Sequence, residues 1–441
     1  MNKFLAISTA SAVLALSFSG VASSATIAEV VAKTLKTNPD IMLDANRRLA
    51  ADEGVKKAKG GYYPKVNLNL GYGHEWSENI STRNNNATAT GTASLWRHEA
   101  GLTLSQLVYD GSATTSEINR QKSILESASN RVMGTSEQIS LKAIETYLDV
   151  LRRGELLKLA QDNLAMHDKT FSQIKIRSEG GIGRKADLEQ AQARLSLTQA
   201  NVASAEANLR EANIAFNQVV GEMPDALVKP GVIEPPASVD DALKVALSNN
   251  PILRSAIADI KAAEAQKDAA DSLLKPRVNM ELGTDWNQNI SGIEYKNNDA
   301  YAMVRMRYNL FNGGSDMAGI AQATIQIQEA NDVLHRTERQ VEDSLRLSWN
   351  AWLTAQDRLP KLASTVDAAE RTRDAYIKQF NIGQRTLLDL LDSENELFTD
   401  RANYVEAQYI DIFSRYRLMA DTGHLLDSLG VAPREEAKLA Q

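Results

Sequence analysis

Apolar residues recur every seven positions through much of this chain. The series are Ile118, Leu125, Val132 and Ile139, then Leu188, Leu195, Val202, Leu209 and Phe216, then Leu391, Phe398, Val405, Ile412 and Met419. Seven-residue spacing predicts helices packed on their neighbours with coiled-coil geometry. Ala191, Ala205 and Ala212 keep one seam small enough for close approach. Proline is absent between Pro64 and Pro224, and only Pro360 falls between Pro276 and Pro433. Ala, Leu, Gln, Glu and Arg are abundant there, and all enter helices at little cost. Helices are therefore predicted from Ser112 to about Ser178 and from Ser315 to about Phe380, each about 100 Å long at ~1.5 Å per residue. Glycine-marked breaks at 180–183 and 382–383 precede further helices, so each pair reads as an antiparallel hairpin with its tip at the break.

Elsewhere the period changes to two. Val66, Leu68, Leu70 and Tyr72 share one face of an extended segment, opposite Asn67, Asn69, Gly71 and Gly73. A polar loop from Glu75 to Ser94 follows, and alternation resumes through Ala100, Leu102 and Leu104 towards Tyr109. The pattern returns as Val278, Met280 and Leu282, a loop from Asn287 to Asp299, then Ala302, Val304, Met306, Tyr308 and Leu310 set against Arg305, Arg307 and Asn309. Such alternation fits transmembrane strands with a lipid face and a wet face. A soluble hairpin with one buried face is the competing reading. Four strands cannot close a membrane barrel, and open edges in lipid leave costly unpaired backbone groups. At least two chains must then share one barrel.

The hairpins belong to two copies of one plan. Asn38-Pro39 leads to Pro64-Lys65-Val66-Asn67-Leu68, and Asn250-Pro251 leads at the same spacing to Pro276-Arg277-Val278-Asn279-Met280. Leu107-Val108-Tyr109-Asp110-Gly111 is echoed by Asn309-Leu310-Phe311-Asn312-Gly313. Gly181, Asp187, Leu188 and Leu195 match Gly383, Asp389, Leu390 and Leu397. The later blocks share a slightly smaller offset, which implies a longer insertion in the first hairpin. An extended linker from Val228 to Val239, holding three of the ten prolines, separates the copies. The expected organisation is a signal peptide over 1–25, a first repeat over 26–230 with its hairpin at about 62–109, and a second repeat over 231–441 with its hairpin at about 274–312 and a C-terminal tail.

Composition narrows the class. Met1-Asn2-Lys3, the apolar run from Phe4 to Phe18 and the small residues of Val21-Ala22-Ser23-Ser24-Ala25 form the pattern of a secretory signal peptide. No long uncharged apolar run follows, and mean hydropathy is −0.33, which argues against a helical inner-membrane protein. A formal net charge of −7 without a basic block argues against nucleic acid. The lack of cysteine removes disulfides, thiolate metal sites, cysteine nucleophiles and an acylated anchor. His74, His98, His167, His335 and His424 are scattered, with no zinc-protease spacing. Gly313-Gly314 lacks the remainder of a phosphate loop and reads as a strand-to-helix turn. No enzyme, catalytic residue, cofactor or metal site is expected.

These features together resemble the TolC family over the whole mature chain: duplicated halves, two strands per half, and long helices meeting at glycine-marked turns. The most specific segment is Phe380-Asn381-Ile382-Gly383-Gln384-Arg385-Thr386-Leu387-Leu388-Asp389-Leu390-Leu391-Asp392, close to that family's second-half tip motif. The resemblance implies an α+β membrane protein, internally duplicated, in which the chains of a homotrimer share one transmembrane β-barrel in the outer membrane. A long antiparallel α-helical coiled-coil barrel continues it across the periplasm. The resemblance also implies a passive exit duct in contact with outer-membrane lipid, docked to a periplasmic adaptor (membrane fusion) protein and an inner-membrane ABC or other transporter. The Tyr109-Asp110-Gly111 block looks most like the branch serving type I protein secretion. Multidrug or small-molecule efflux is the alternative, and a periplasmic coiled-coil scaffold the distant one.

Asp389 and Asp392 lie three apart on one helix face, and alone they read as a solvated acidic pair favourable to a helix N-terminus. The resemblance implies instead two acidic rings at the periplasmic entrance. It implies that Arg385 is a latch arginine whose partner is Asp187 of a neighbouring subunit. Phe380 stands where a latch tyrosine is typical, and Ala186 where a hydroxyl residue is typical. Neither can make the corresponding hydrogen bond, so closure is expected to rely on Arg385 with Asp187.

Overall fold

The computed structural model describes residues 25–84, 91–181 and 183–438. The expected signal peptide lies outside these residues except for Ala25. Each half opens with a short helix, α1 (Ile27–Thr37) or α6 (Val239–Asn249), followed by a longer one, α2 (Pro39–Lys59) or α7 (Pro251–Asp271). A strand pair comes next, β1 (Lys65–Ser77) with β2 (Ala93–Tyr109), or β3 (Arg277–Gln288) with β4 (Lys296–Arg307). The one-turn helix α3 (Ile80–Asn84) sits in the first connection. The long hairpins follow, α4 (Ala113–Glu179) with α5 (Lys185–Val220), and α8 (Ser315–Asn381) with α9 (Leu387–Asp421). Helix α10 (Leu425–Ser428) lies near the C-terminus. Helices α4 and α8 are each 67 residues long, close to the predicted limits, and α8 continues through Pro360 despite losing one backbone hydrogen bond there.

The repeated Asn-Pro dipeptides do the same work twice. Asn38 caps α2 by accepting from the Asp40 amide at 3.0 Å, while its Nδ2 donates to the Val219 carbonyl at the end of α5. Asn250 caps α7 through the Ile252 amide and donates to the Asp421 carbonyl at the end of α9. Proline at the first helical position costs no hydrogen bond. Helix α5 therefore continues end to end into α2 along α4. The pairs Thr135–Asp44 at 2.6 Å and Tyr62–Thr115 at 2.6 Å mark the antiparallel course of α2 towards the strands. Helices α9 and α7 run likewise along α8.

At that junction lies the largest core, built from Val31, Ile41, Ile144, Tyr147, Phe216, Val220, Leu425 and Leu426, all at most 2% exposed. The Tyr147 hydroxyl accepts from the Val228 amide at 2.9 Å and lies 2.8 Å from the Ala25 carbonyl oxygen. The proline-rich linker is thus laid across the body, held also by Arg415, which donates to the Ile233 carbonyl at 3.2 Å.

The strands form one antiparallel sheet in the order β1-β2-β3-β4, so β1 and β4 each keep an unpaired edge within the chain. Register places Val66 opposite Leu104, Leu68 opposite Leu102 and Leu70 opposite Ala100 on one face. Met280 opposite Val304 and Leu282 opposite Ala302 continue that face. Among the described residues no helix or second sheet covers it: Val66 is 61% exposed, Leu70 73% and Val304 73%. The strands extend beyond the predicted loop limits, because Glu75, Asn287 and Asp299 remain in the ladder. Alternation fades there while pairing persists, since strand ends that leave the apolar layer need no apolar face. At the other end β4 stops at Arg307, opposite Arg277. Tyr308 and Leu310 lie beyond it, where Pro276 has no amide to extend the ladder.

Candidate functional site

Two regions carry the functional geometry: the uncovered sheet and the meeting point of the two hairpin tips. At the tips, α4 supplies Phe171 and Ile174, α5 supplies Leu188 and Ala191, and α8 supplies Phe380. Leu387 and Leu391 of α9 complete one apolar cluster. Gly181 and Gly383 turn the chain with φ of +75° and +77°, a conformation costly for other residues. Phe380 packs in this cluster with the Arg177 guanidinium 5.2 Å above its ring centre. The aromatic therefore joins the two hairpins by packing, without a hydroxyl.

Asp389 closes a capping box at the start of α9. Its carboxylate accepts from the Thr386 amide at 3.2 Å and the Thr386 hydroxyl at 2.9 Å, while its own amide donates back to that hydroxyl at 3.2 Å. Those hydrogen bonds, with Arg385 nearby, hold its carboxyl below the usual carboxylate range. The helix-end reading of this residue is thus realised locally. Asp392 is different: Arg194 of α5 donates to its carboxylate at 3.0 Å, joining the two hairpins.

Arg385 has three partners within its own hairpin. Its guanidinium lies 4.2 Å over the Tyr376 ring, its Nε donates to Gln379 at 3.1 Å, and its Nη1 is 3.8 Å from the Asp389 carboxylate. Asp187 sits half-buried in the first turn of α5 and forms no ion pair within the protomer among the described residues. Arg385 and Asp187 do not pair within the protomer. Sequence reasoning missed Tyr376, Arg177 and Arg194. Tyr376 precedes Phe380 by one helical turn, a spacing that could have drawn it in; the other two meet their partners only through folding.

A sheet with two exposed faces and two open edges, joined to helical hairpins with packed tips, defines one share of an oligomeric conduit through a membrane. The profile of the outer membrane efflux protein family matches residues 30–222 and 242–424, and the chain belongs to that family. The outer membrane efflux protein BepC of Brucella suis is 25% identical over 414 residues, spanning 92% of this chain and 88% of that protein. The alkaline protease secretion protein AprF of Pseudomonas aeruginosa is 26% identical over 305 residues, 66% of this chain and 63% of that one. The solved Campylobacter jejuni CmeC outer membrane channel superposes with a TM-score of 0.78 at 14% identity, covering 90% of this chain and 86% of the channel. This is the TolC family, as the tip motif suggested. Its members are passive outer-membrane channels, not enzymes. They are homotrimers with a large periplasmic helical barrel, and they work with adaptors and inner-membrane transporters.

Proposed function

We propose that this chain is the exit duct of a type I protein secretion machine. It passively receives a polypeptide from an inner-membrane ABC transporter through a periplasmic adaptor. The observation that carries the duct is the sheet, whose apolar face is uncovered and whose edges are unpaired: lipid suits the first, and neighbouring subunits the second. The secretion branch is supported by the Tyr109-Asp110-Gly111 turn and by likeness to a protein named for protease secretion. In that turn Asp110 accepts from the Thr114 amide at 2.9 Å and hydroxyl at 2.6 Å, fixing the passage from strand to helix. Likeness to BepC favours the second reading, efflux of small molecules.

The gate assigned to this duct is the hairpin tip. Arg385 and Asp187 latch neighbouring subunits, Phe380 packs the two hairpins, and Asp389 with Asp392 face the entrance. Deleting the gene and comparing secreted proteins with sensitivity to toxic compounds separates the cargo classes. Loss of one or more large secreted proteins with unchanged sensitivity is expected. Hypersensitivity with an intact secreted profile would replace protein cargo with small molecules.

A further inference from the structure

The wet face of the sheet is divided by charge along its length. Towards the loops stand Glu75, Glu99, Asp285 and Asp299, with Arg97 among them, paired to Glu75 at 2.6 Å and to Glu99. Towards the helices stand Lys65, Arg277, Arg305 and Arg307, with Glu281 the one acid among them. Arg305 takes that acid, its Nε 2.9 Å from the carboxylate. Arg277 and Arg307 are direct cross-strand partners, and like charges so placed destabilise a sheet. Both are exposed, and neither guanidinium has an ion pair or hydrogen bond among the described residues. The acids at this end are already engaged: Asp316 by Asn309 and Asn312, Asp110 by Thr114, and Asp271 by Lys267. A neighbouring β1 strand brings no relief, because the same half of its wet face offers Lys65, Asn67 and Asn69.

We propose that Arg277, Arg307 and Lys65 form a basic collar at the foot of the shared barrel, which binds carboxylate-rich stretches of the exported polypeptide in transit. The collar names a cargo chemistry and so rests on the secretion reading above. An arginine fork matches a carboxylate with two parallel hydrogen bonds. On an exposed, hydrated wall each such contact is weak and screened by salt. A small anion therefore gains little there. A chain carrying many carboxylates engages several protomers at once, and each later contact forms at high effective concentration. The collar thus selects a polymer over a small molecule, and an acidic stretch over a neutral one. While it stays, that stretch also relieves the repulsion between Arg277 and Arg307.

The test adds unstructured polyglutamate to each side in turn of the full-length trimer in planar bilayers, with polyglutamine of equal length as the neutral control. Polyglutamate should interrupt the current for several-fold longer per event, and rising salt should shorten its events. Arg277→Gln with Arg307→Gln should bring the two peptides level. Arg277→Lys with Arg307→Lys should keep most of the difference, with detergent-resistant assembly checked for both variants. Polyglutamate events that are absent, no longer than those of polyglutamine, or unaltered by the double glutamine substitution would overturn the collar while leaving the duct intact. A wild-type trimer that forms no channel at all would instead overturn the duct reading, and the collar with it.

Discussion

Glu137 is a buried acid on α4, 4% exposed, whose carboxylate accepts from the Leu425 and Leu426 amides at 3.2 and 3.3 Å. Burial pushes its carboxyl up to about 7, against the opposing pull of those two amides. A raised folded-state value means that the folded protein holds the proton more tightly than the unfolded chain. The associated stability is complete below the ordinary carboxylate range and is lost as pH rises towards 7. Apparent melting temperature should therefore fall between about pH 4.5 and 7, and Glu137→Gln should flatten that dependence. A dependence unchanged by the substitution would assign it to other groups. At the tip, Arg385→Ser removes a guanidinium that spans Tyr376, Gln379 and Asp389 and that the proposed latch pairs with a neighbouring subunit. A part-exposed pair is worth at most about 1 kcal/mol, but threefold repetition makes closure cooperative. Conductance should rise in this variant. Asp389→Ala with Asp392→Ala should reduce cation preference and multivalent block, and unaltered ion selectivity would leave the two aspartates as helix-end groups only.

At the scale of elements, the sheet and the hairpins obey different solvents. Helices of the duct bury Ile118, Leu125 and Val132 against their neighbours, whereas β1 turns Val66, Leu68, Leu70 and Tyr72 outward. Tyr72 stacks on Trp96 at 5.3 Å, placing paired aromatics toward the loop end of the apolar face, where membrane interfaces favour them. On the opposite face Arg97 pairs with Glu75 at 2.6 Å and Arg305 with Glu281 at 2.9 Å, as a water-lined wall permits. Gly283 opposes Tyr301 so closely that an added Cβ would meet the ring and force it to shift. Face should therefore decide tolerance to charge. Leu68→Arg should cost about 2–4 kcal/mol near the middle of the apolar layer, while Asn67→Arg on the wet face should be nearly neutral. Yields of heat-resistant trimer measure the difference, and equal yields would contradict the assignment of faces.

For the whole molecule, the start and middle of the chain are tied together at the junction of its halves. Ala25 donates from its amide to the Ala226 carbonyl at 2.9 Å and forms a parallel bridge with Leu227. Its carbonyl oxygen lies 2.8 Å from the hydroxyl of Tyr147, which is fully buried. Removal of Ala25 with the signal peptide would delete these partners from a core position. An α-amine on Ala25 could still donate to Ala226. Processing should therefore leave Ala25 on the mature protein, with Ala22 and Ser24 as the small residues that a peptidase would read. Intact mass of the purified trimer checks this, and a chain beginning at Thr26 would refute it.

Periodicity by itself determined the long helices, the two-faced strands and the hairpin tips, because each depends on neighbours a few residues away. The duplicated Asn-Pro dipeptides were legible as repeat landmarks for the same reason, and so was the place of Asp389 near a helix start, whereas their capping hydrogen bonds came with the structure. Tertiary structure alone decided the pairs that cross between elements. Arg194 meets Asp392, Glu137 meets the start of α10, and Tyr147 meets Ala25 and Val228, each across a long stretch of chain that no local pattern spans. It also decided where the strands end, since hydrogen-bonded ladders continue past the apolar layer after the alternation that announces them has stopped. A charge on a helix surface has many possible partners in sequence, and only the packing of the hairpins selects one.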